Sequence, residues 1–147
     1  MEKKTQNGFL LSDDFSKMDF DRVTQWLTAT YWSPGIGREE VEEGARNSTG
    51  VVGAFAPDGQ QVGYARLVSD QVRFAYLMDV FVEEKQRKRG LGRALVEFMT
   101  GHPDYRRVYL WLLATRDAHA VYRGAGFEPL KNPERWMAIQ KGRPKAL

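Results

Sequence analysis

The stretch Asp79–Gly101, DVFVEEKQRKRGLGRALVEFMTG, decides the reading of this chain. The apolar run from Tyr76 to Val82 that leads into it is strand-like. A short charged loop follows and ends in Gly90-Leu91-Gly92. Leu91, Ala94, Leu95, Phe98 and Met99 then recur at i, i+3, i+4, i+7 and i+8, one face of an α-helix. Gly101 and Pro103 stop that helix. Strand, loop, Gly-x-Gly and helix is an order with a chemical use. The first turn of a helix carries N–H groups without intrahelical acceptors, and the helix dipole adds partial positive charge there. Glycine lets a ligand approach that backbone. Lys85, Arg87, Lys88, Arg89 and Arg93 surround the turn. The segment is therefore a candidate anion site, and a pyrophosphate is its natural guest.

Three phosphate-loop types compete with an ordinary basic turn before a surface helix. A Walker A loop needs G-x-x-x-x-G-K-[ST], and no such run exists. A dinucleotide fingerprint needs a third glycine where this chain has Leu95. The pattern that fits is R-x-x-G-x-G, spelled by Arg87, Lys88, Arg89, Gly90, Leu91 and Gly92.

Upstream, Gly50–Phe55, Gln61–Val68 and Arg73–Val82 read as three consecutive antiparallel strands. Pro57-Asp58-Gly59 and Ser69-Asp70-Gln71 are the turns between them. Alternation puts Val62, Tyr64, Arg66 and Val68 on one face of the middle strand. Gly8–Leu11 reads as an edge strand. Asp19 N-caps a helix on which Phe20, Val23, Trp26 and Leu27 share a face. Tyr31 to Gly37 breaks that helix with Pro34, Gly35 and Gly37. Arg38–Asn47 is acidic and poor in apolar anchors, which predicts a surface helix.

Downstream, Val108–Ala114 (VYLWLLA) is a continuous apolar run, as expected of a buried strand beside a parallel neighbour. Strand, helix and strand then make one right-handed βαβ unit. Ala118–Ala125 is a short helix stopped by Gly126, and Trp136–Ile139 a last short strand. Lys141–Leu147 is basic, contains Pro and Gly, and is expected to be a disordered tail. The pattern is that of one α/β domain over residues 1–147.

Composition narrows the function. The net charge of +3, from 22 basic and 19 acidic residues, is too mild to demand a nucleic-acid partner. The basic residues of the loop cluster at one turn, with no basic face interleaved with aromatics. The chain has no cysteine, which excludes disulfides, a thiol nucleophile and cysteine metal sites. His119 has no histidine partner at metal spacing, so no metal is expected. No apolar run is long enough for a transmembrane helix, and no membrane partner is expected. The polar N-terminus is not a secretory leader, and the cytoplasm is the default location.

A second motif sharpens the reading. Ala118, Tyr122, Gly126 and Phe127 match A-x-x-x-Y-x-x-x-G-F on the predicted short helix. Both motifs, in this order, closely resemble the signatures of the GNAT superfamily of N-acyltransferases. Tyr31-Trp32, the strand end Arg66–Asp70, Phe74–Leu77, Asp79–Val82 and Leu112–His119 resemble one bacterial subgroup, mostly unassigned by substrate. The likeness runs from about Gly8 to about Gln140. Two departures stand out: Thr115 where many members carry Asn, and Ala120 where the subgroup usually has Gly. The Thr puts in doubt the usual side-chain contact to the pantetheine arm.

The resemblance implies the GNAT fold, a single α/β domain with a mixed, mostly antiparallel sheet. That sheet would splay between two parallel strands ending near Val82 and Ala114, with helices on both faces. It implies acetyl-CoA as acyl donor in the V-shaped gap. Phe81 and Val82 would pair with the pantetheine arm as an added strand. The N–H groups from Arg87 to Arg93 would cradle the pyrophosphate. A backbone N–H near Val80 would face the thioester oxygen. Thr115, Ala118 and Tyr122 would line the cofactor side. A primary amine, from a small molecule or a protein, would attack directly, held close to the thioester. That amine must be neutral. Tyr122 is the family position of the general acid. Asp79, an acid inside an apolar strand, is a candidate base or acceptor anchor, or a structural pair. Tyr31 and Trp32 fall where the family builds its acceptor pocket, though core packing suits them nearly as well. Arg66 would anchor an acceptor carboxylate or pair with a nearby acid. Small members are often dimers, which leaves a homodimer open. The competing function is a non-catalytic acyl-CoA-binding or sensor module on the same fold.

Overall fold

The computed structural model describes residues 1–143. Six strands are laid down almost entirely by antiparallel neighbours: β1 (Glu2–Lys4), β2 (Leu10–Ser12), β3 (Gly50–Phe55), β4 (Gln61–Ser69), β5 (Phe74–Val82) and β6 (Leu110–Leu112). They form one sheet in chain order. Only β5 and β6 are parallel. A parallel pair needs a crossover, and the helix α3 (Leu91–Thr100) supplies it.

Each face of the sheet carries its own core. Leu91, Leu95, Val96, Phe98 and Met99 of α3 pack with Val52, Ala54, Ala65, Leu67, Ala75 and Leu77. On the other face α1 (Phe20–Leu27) and α2 (Arg38–Arg46) bring Phe20, Val23, Leu27, Val41 and Ala45 to Val51, Phe55 and Tyr64. Alternation along β3 makes this possible, with Val51 facing one layer and Val52 the other. Asp19 caps α1 as expected, accepting from the Arg22 N–H at 3.1 Å.

The surface helix expected over Arg38–Asn47 is α2, seated by two small anchors, Val41 and Ala45, four residues apart on one face and both buried. Several other local expectations need correction. β1 was not expected. Its residues are polar and exposed, and only backbone pairing to β2 marks it as a strand. Val62 does not share a face with Tyr64. The register slips from Phe55↔Gln61 to Ala54↔Gly63, and the extra residue turns Val62 into the α3 core. β6 is shorter than Val108–Ala114 and is not buried on both faces. It lies at the sheet edge with Tyr109 and Leu110 exposed. Trp136–Ile139 forms no strand. Of the expected tail, residues 144–147 lie outside the described residues. Within it Arg143 is anchored, donating from Nη1 to the Pro34 carbonyl at 2.8 Å and from Nη2 to Glu40 at 3.2 Å. Among the described residues no helix is long and apolar enough to cross a membrane.

Candidate active site

The β5–β6 ladder runs only from Phe74↔Leu110 to Tyr76↔Leu112. Beyond Tyr76, β5 continues to Val82 without β6 beside it. The chain leaving β6 diverges through Ala114 towards α4 (His119–Gly124). The expected parallel strands do splay. The wedge between them is a cleft of about 1830 Å³, bounded also by the α1–α2 loop and the start of α3. That is more room than a pocket for one small ligand, typically about 300–1,000 Å³. Every site residue expected from the sequence borders this cleft except Arg89.

At the foot of the wedge the loop into α3 is shaped by two left-handed residues, Lys88 (φ 65°) and Gly90 (φ 77°). Glycine alone takes that conformation freely. The backbone N–H groups from Lys88 to Arg93 donate to no acceptor among the described residues. The next one, of Ala94, donates to the Gly90 carbonyl at 2.9 Å and starts the helical ladder. A row of unused donors at a helix N-terminus has the chemistry to receive an anion. Arg87 and Lys88 border it. Arg93 turns partly away to Glu97, at 2.6 Å. Arg87 donates from Nε to the Val82 carbonyl at 2.9 Å, and its guanidinium covers the Phe81 ring.

Midway up the wedge β5 carries a bulge. Tyr64 pairs with Phe81 and Arg66 with Met78, so Ala65 alone faces both Asp79 and Val80. Asp79 takes the left-handed conformation, φ 55°, one of the few that non-glycine residues reach only with strain. The bulge throws its side chain to the α1–α2 side of the sheet. There Oδ2 accepts from Arg66 Nε at 2.6 Å and Oδ1 from Trp32 Nε1 at 3.0 Å. Arg66 also donates to the Ser48 hydroxyl at 3.2 Å. The Asp79 and Arg66 side chains are only 8% and 18% exposed. Of the two readings for Arg66, pairing with a nearby acid is therefore the one realised. Asp79 is held as a paired carboxylate.

Tyr122 is positioned by the end of its helix. Gly126 is left-handed, with φ 99°. Its N–H donates to the Arg123 carbonyl, and the Phe127 N–H donates back to the Tyr122 carbonyl, both at 3.0 Å. These two bonds are the Schellman closure, and the Phe127 ring packs edge-on against Tyr122 at 6.2 Å. The motif Y-x-x-x-G-F is thus a helix stop that fixes the tyrosine. Burial pushes the Tyr122 hydroxyl up to about 12, helped by the neighbouring Tyr31 and Asp117 oxygens. The group is a protonated donor at neutral pH.

The two arms of the wedge are joined across its mouth. The Tyr31 hydroxyl accepts from the Arg116 backbone N–H at 2.9 Å, and the Arg116 guanidinium lies 3.9 Å over the Tyr31 ring. Tyr31 meets Trp32 edge-on at 5.0 Å, and Trp32 reaches Asp79. Thr115 turns inward, its hydroxyl accepting from the Ala118 N–H at 3.0 Å, which shapes the turn into α4. Sequence reasoning missed Ser48, Arg116 and Arg143 at this site. Their contacts are long-range, and no local pattern marks them.

Relatives agree with this geometry. A family model described as an acetyltransferase (GNAT) domain matches residues 48–129. The structure of a candidate GNAT acetyltransferase from Xanthomonas campestris pv. campestris superposes with a TM-score of 0.84 at 34% identity, covering 95% of this chain and 96% of that one. Glucosamine-6-phosphate N-acetyltransferase from Arabidopsis thaliana shares the fold at a TM-score of 0.62 and 15% identity, covering 92% and 97%. A candidate acetyltransferase of Gibberella zeae is 24% identical, over 84% of this chain and 81% of its own length. With the splayed strands, the N–H cradle and the capped tyrosine in place, this chain belongs to the GNAT acetyltransferase family.

Proposed function

We propose that this chain transfers the acetyl group of acetyl-CoA to a primary amine by direct attack. The observation that carries the reading is the row of unused N–H donors from Lys88 to Arg93 at the foot of the splay. A diphosphate calls for several converging donors with cations beside them. The loop offers both, so the residues present fit coenzyme A. The free edge of β5 beyond Tyr76 suits an extended, amide-bearing arm, which would share the Val82 carbonyl with Arg87. We assign the N–H near Val80, at the bulge, to the thioester oxygen, where charge develops.

Tyr122 serves the departing sulfur. A hydroxyl near 12 is a poor source of a whole proton for an alkyl thiolate, whose conjugate acid is the stronger of the two. Its O–H instead stabilises the sulfur as the C–S bond breaks. The C–N bond forms, and the proton that sulfur finally takes is the one the amine nitrogen loses. Asp79 is a positioning residue in this reading, because its two oxygens are already engaged by Arg66 and Trp32. The cleft is open at its mouth, so an arriving ammonium can shed its extra proton to water before the neutral amine attacks.

The test is an acceptor screen with acetyl-CoA. Small amines, peptides and proteins are assayed by mass spectrometry for a gained acetyl group. Free CoA is followed with a thiol reagent, which this cysteine-free chain does not consume. Acetylation of one acceptor class with matching CoA release supports the reading. CoA binding with no transfer to any amine would favour the binding module instead.

A further inference from the structure

Four side chains from α1, β5 and the loop into α3 form a ladder that ends beside the N–H cradle. Arg22 and Trp26 stand four residues apart on α1, and the Arg22 guanidinium lies 5.5 Å from the centre of the Trp26 ring. Trp26 stacks on Phe81, with ring centres 5.3 Å apart and planes 17° from parallel. Arg87 sets its guanidinium 5.3 Å from the centre of the Phe81 ring. Cations at the two ends of a pair of rings suit the negative charge that ring faces carry.

The two ends differ in what they leave free. Arg22 is engaged within the fold. Its Nε donates to the Gln61 carbonyl at 2.6 Å and its Nη2 to Glu83 at 2.7 Å. That end is therefore fixed to β4 and to the residue that follows β5. Arg87 is held by its inner nitrogen, which donates to the Val82 carbonyl, and by the face it lays on Phe81. Its two outer nitrogens have no acceptor among the described residues, and the residue borders the cleft. The outer fork of a guanidinium is the part that matches a phosphate.

An exposed arginine on a loop ordinarily samples many rotamers, and binding a ligand must freeze them. The ladder removes much of that freedom beforehand. We infer that Trp26 is a positioning residue for the diphosphate of the cofactor. It does not border the cleft itself and acts through Phe81 on Arg87. Resting on the acyl-transfer reading, this role falls to a residue of α1, outside both motifs of the sequence.

Isothermal titration calorimetry with acetyl-CoA, run on a double-mutant cycle, separates this role from packing. A cation–π contact at an exposed site corresponds to roughly two- to fivefold in a binding constant. Trp26→Leu should weaken binding by about that factor. Trp26→Phe keeps a ring to stack and should bind as the wild type does. Arg87→Gln should weaken binding about tenfold, through the lost charged hydrogen bonds. Once Arg87 is replaced, Trp26→Leu should cause no further loss, because nothing remains for the ring to position. Urea denaturation shows whether each variant folds, and Trp26→Met replaces the leucine variant if that one does not. A loss from Trp26→Leu that is the same with and without Arg87 would make Trp26 a packing residue and overturn the inference. An unchanged constant in Trp26→Leu would overturn it too. A wild type that binds no acetyl-CoA would overturn the acyl-transfer reading, and this role with it.

Discussion

The Tyr31 hydroxyl and the Arg116 backbone N–H meet at 2.9 Å across the mouth of the cleft, joining the α1–α2 loop to the loop after β6. The first is tied to the β5 arm of the splay through the Trp32–Asp79 hydrogen bond, and the second continues the β6 arm. This bond, with the Arg116 guanidinium over the Tyr31 ring, sets how far the arms stand apart. Tyr31→Phe keeps the ring and removes only the acceptor. A neutral hydrogen bond is worth about 1 kcal/mol, or roughly fivefold. The expected result is a rise of about that size in KM for the acceptor, with a smaller change in kcat, read from steady-state kinetics.

Arg66 and Asp79 form the least exposed ion pair of the cleft. Removing one partner strands the other charge, which costs about 3–5 kcal/mol for a buried pair, whereas apolar replacement of both is often neutral. Arg66→Met alone should therefore destabilise the protein strongly. Arg66→Met with Asp79→Leu should recover most of the loss. Urea denaturation of both single variants, the double variant and the wild type closes this cycle. Losses that simply add would show that the pair is not coupled.

Tyrosines make stability fall at high pH. Burial raises the Tyr64 hydroxyl, and burial pushes Tyr122 up to about 12. The unfolded chain loses these protons near about pH 10, before the folded chain does. Above that pH the unfolded state binds fewer protons, so stability declines as pH rises; below it the contribution is fully present. Tyr64→Phe should flatten the decline between about pH 10 and 12, and equilibrium denaturation across that range is the check.

Tyr122→Phe separates hydrogen bonding from packing. A hydrogen bond to a charged group contributes about 1.5–3 kcal/mol, so kcat should fall about 10- to 100-fold with acetyl-CoA affinity nearly unchanged. Single-turnover measurement on an accepted amine makes chemistry the observed step. An unchanged rate would remove Tyr122 from the reaction. Lost CoA affinity would make it a wall of the site.

What the sequence showed, and what it hid, follows from the range of each interaction. The α3 loop was legible because Gly90, the basic residues and the helical apolar face are neighbours in the chain. The helix that carries Tyr122 was legible because Gly126 marks its stop locally, whereas the tyrosine itself was singled out by the family motif. The parallel pairing followed from two apolar runs with a helix between them, whereas the splay came only with the family resemblance. The bulge at Asp79 was hidden, because an aspartate in left-handed backbone has no sequence mark. The pairing of Asp79 with Arg66 and Trp32 joins three separate segments. β6 was misread as doubly buried because an apolar run does not reveal whether its strand lies at the centre or the edge of a sheet. Arg143 lay in a stretch whose composition reads as tail, and only a long-range contact to Pro34 and Glu40 holds it.

Binding of acetyl-CoA, measured by isothermal titration calorimetry, tests the cradle most directly. One molecule per chain should bind the wild type. Gly90→Val disturbs a left-handed residue (φ 77°) inside the donor row and should weaken binding at least tenfold. Lys88→Gln leaves the row in place and removes one exposed, screened charge, so its loss should be only a few-fold. No binding to the wild type, or equal losses in the two variants, would contradict a backbone cradle for the pyrophosphate.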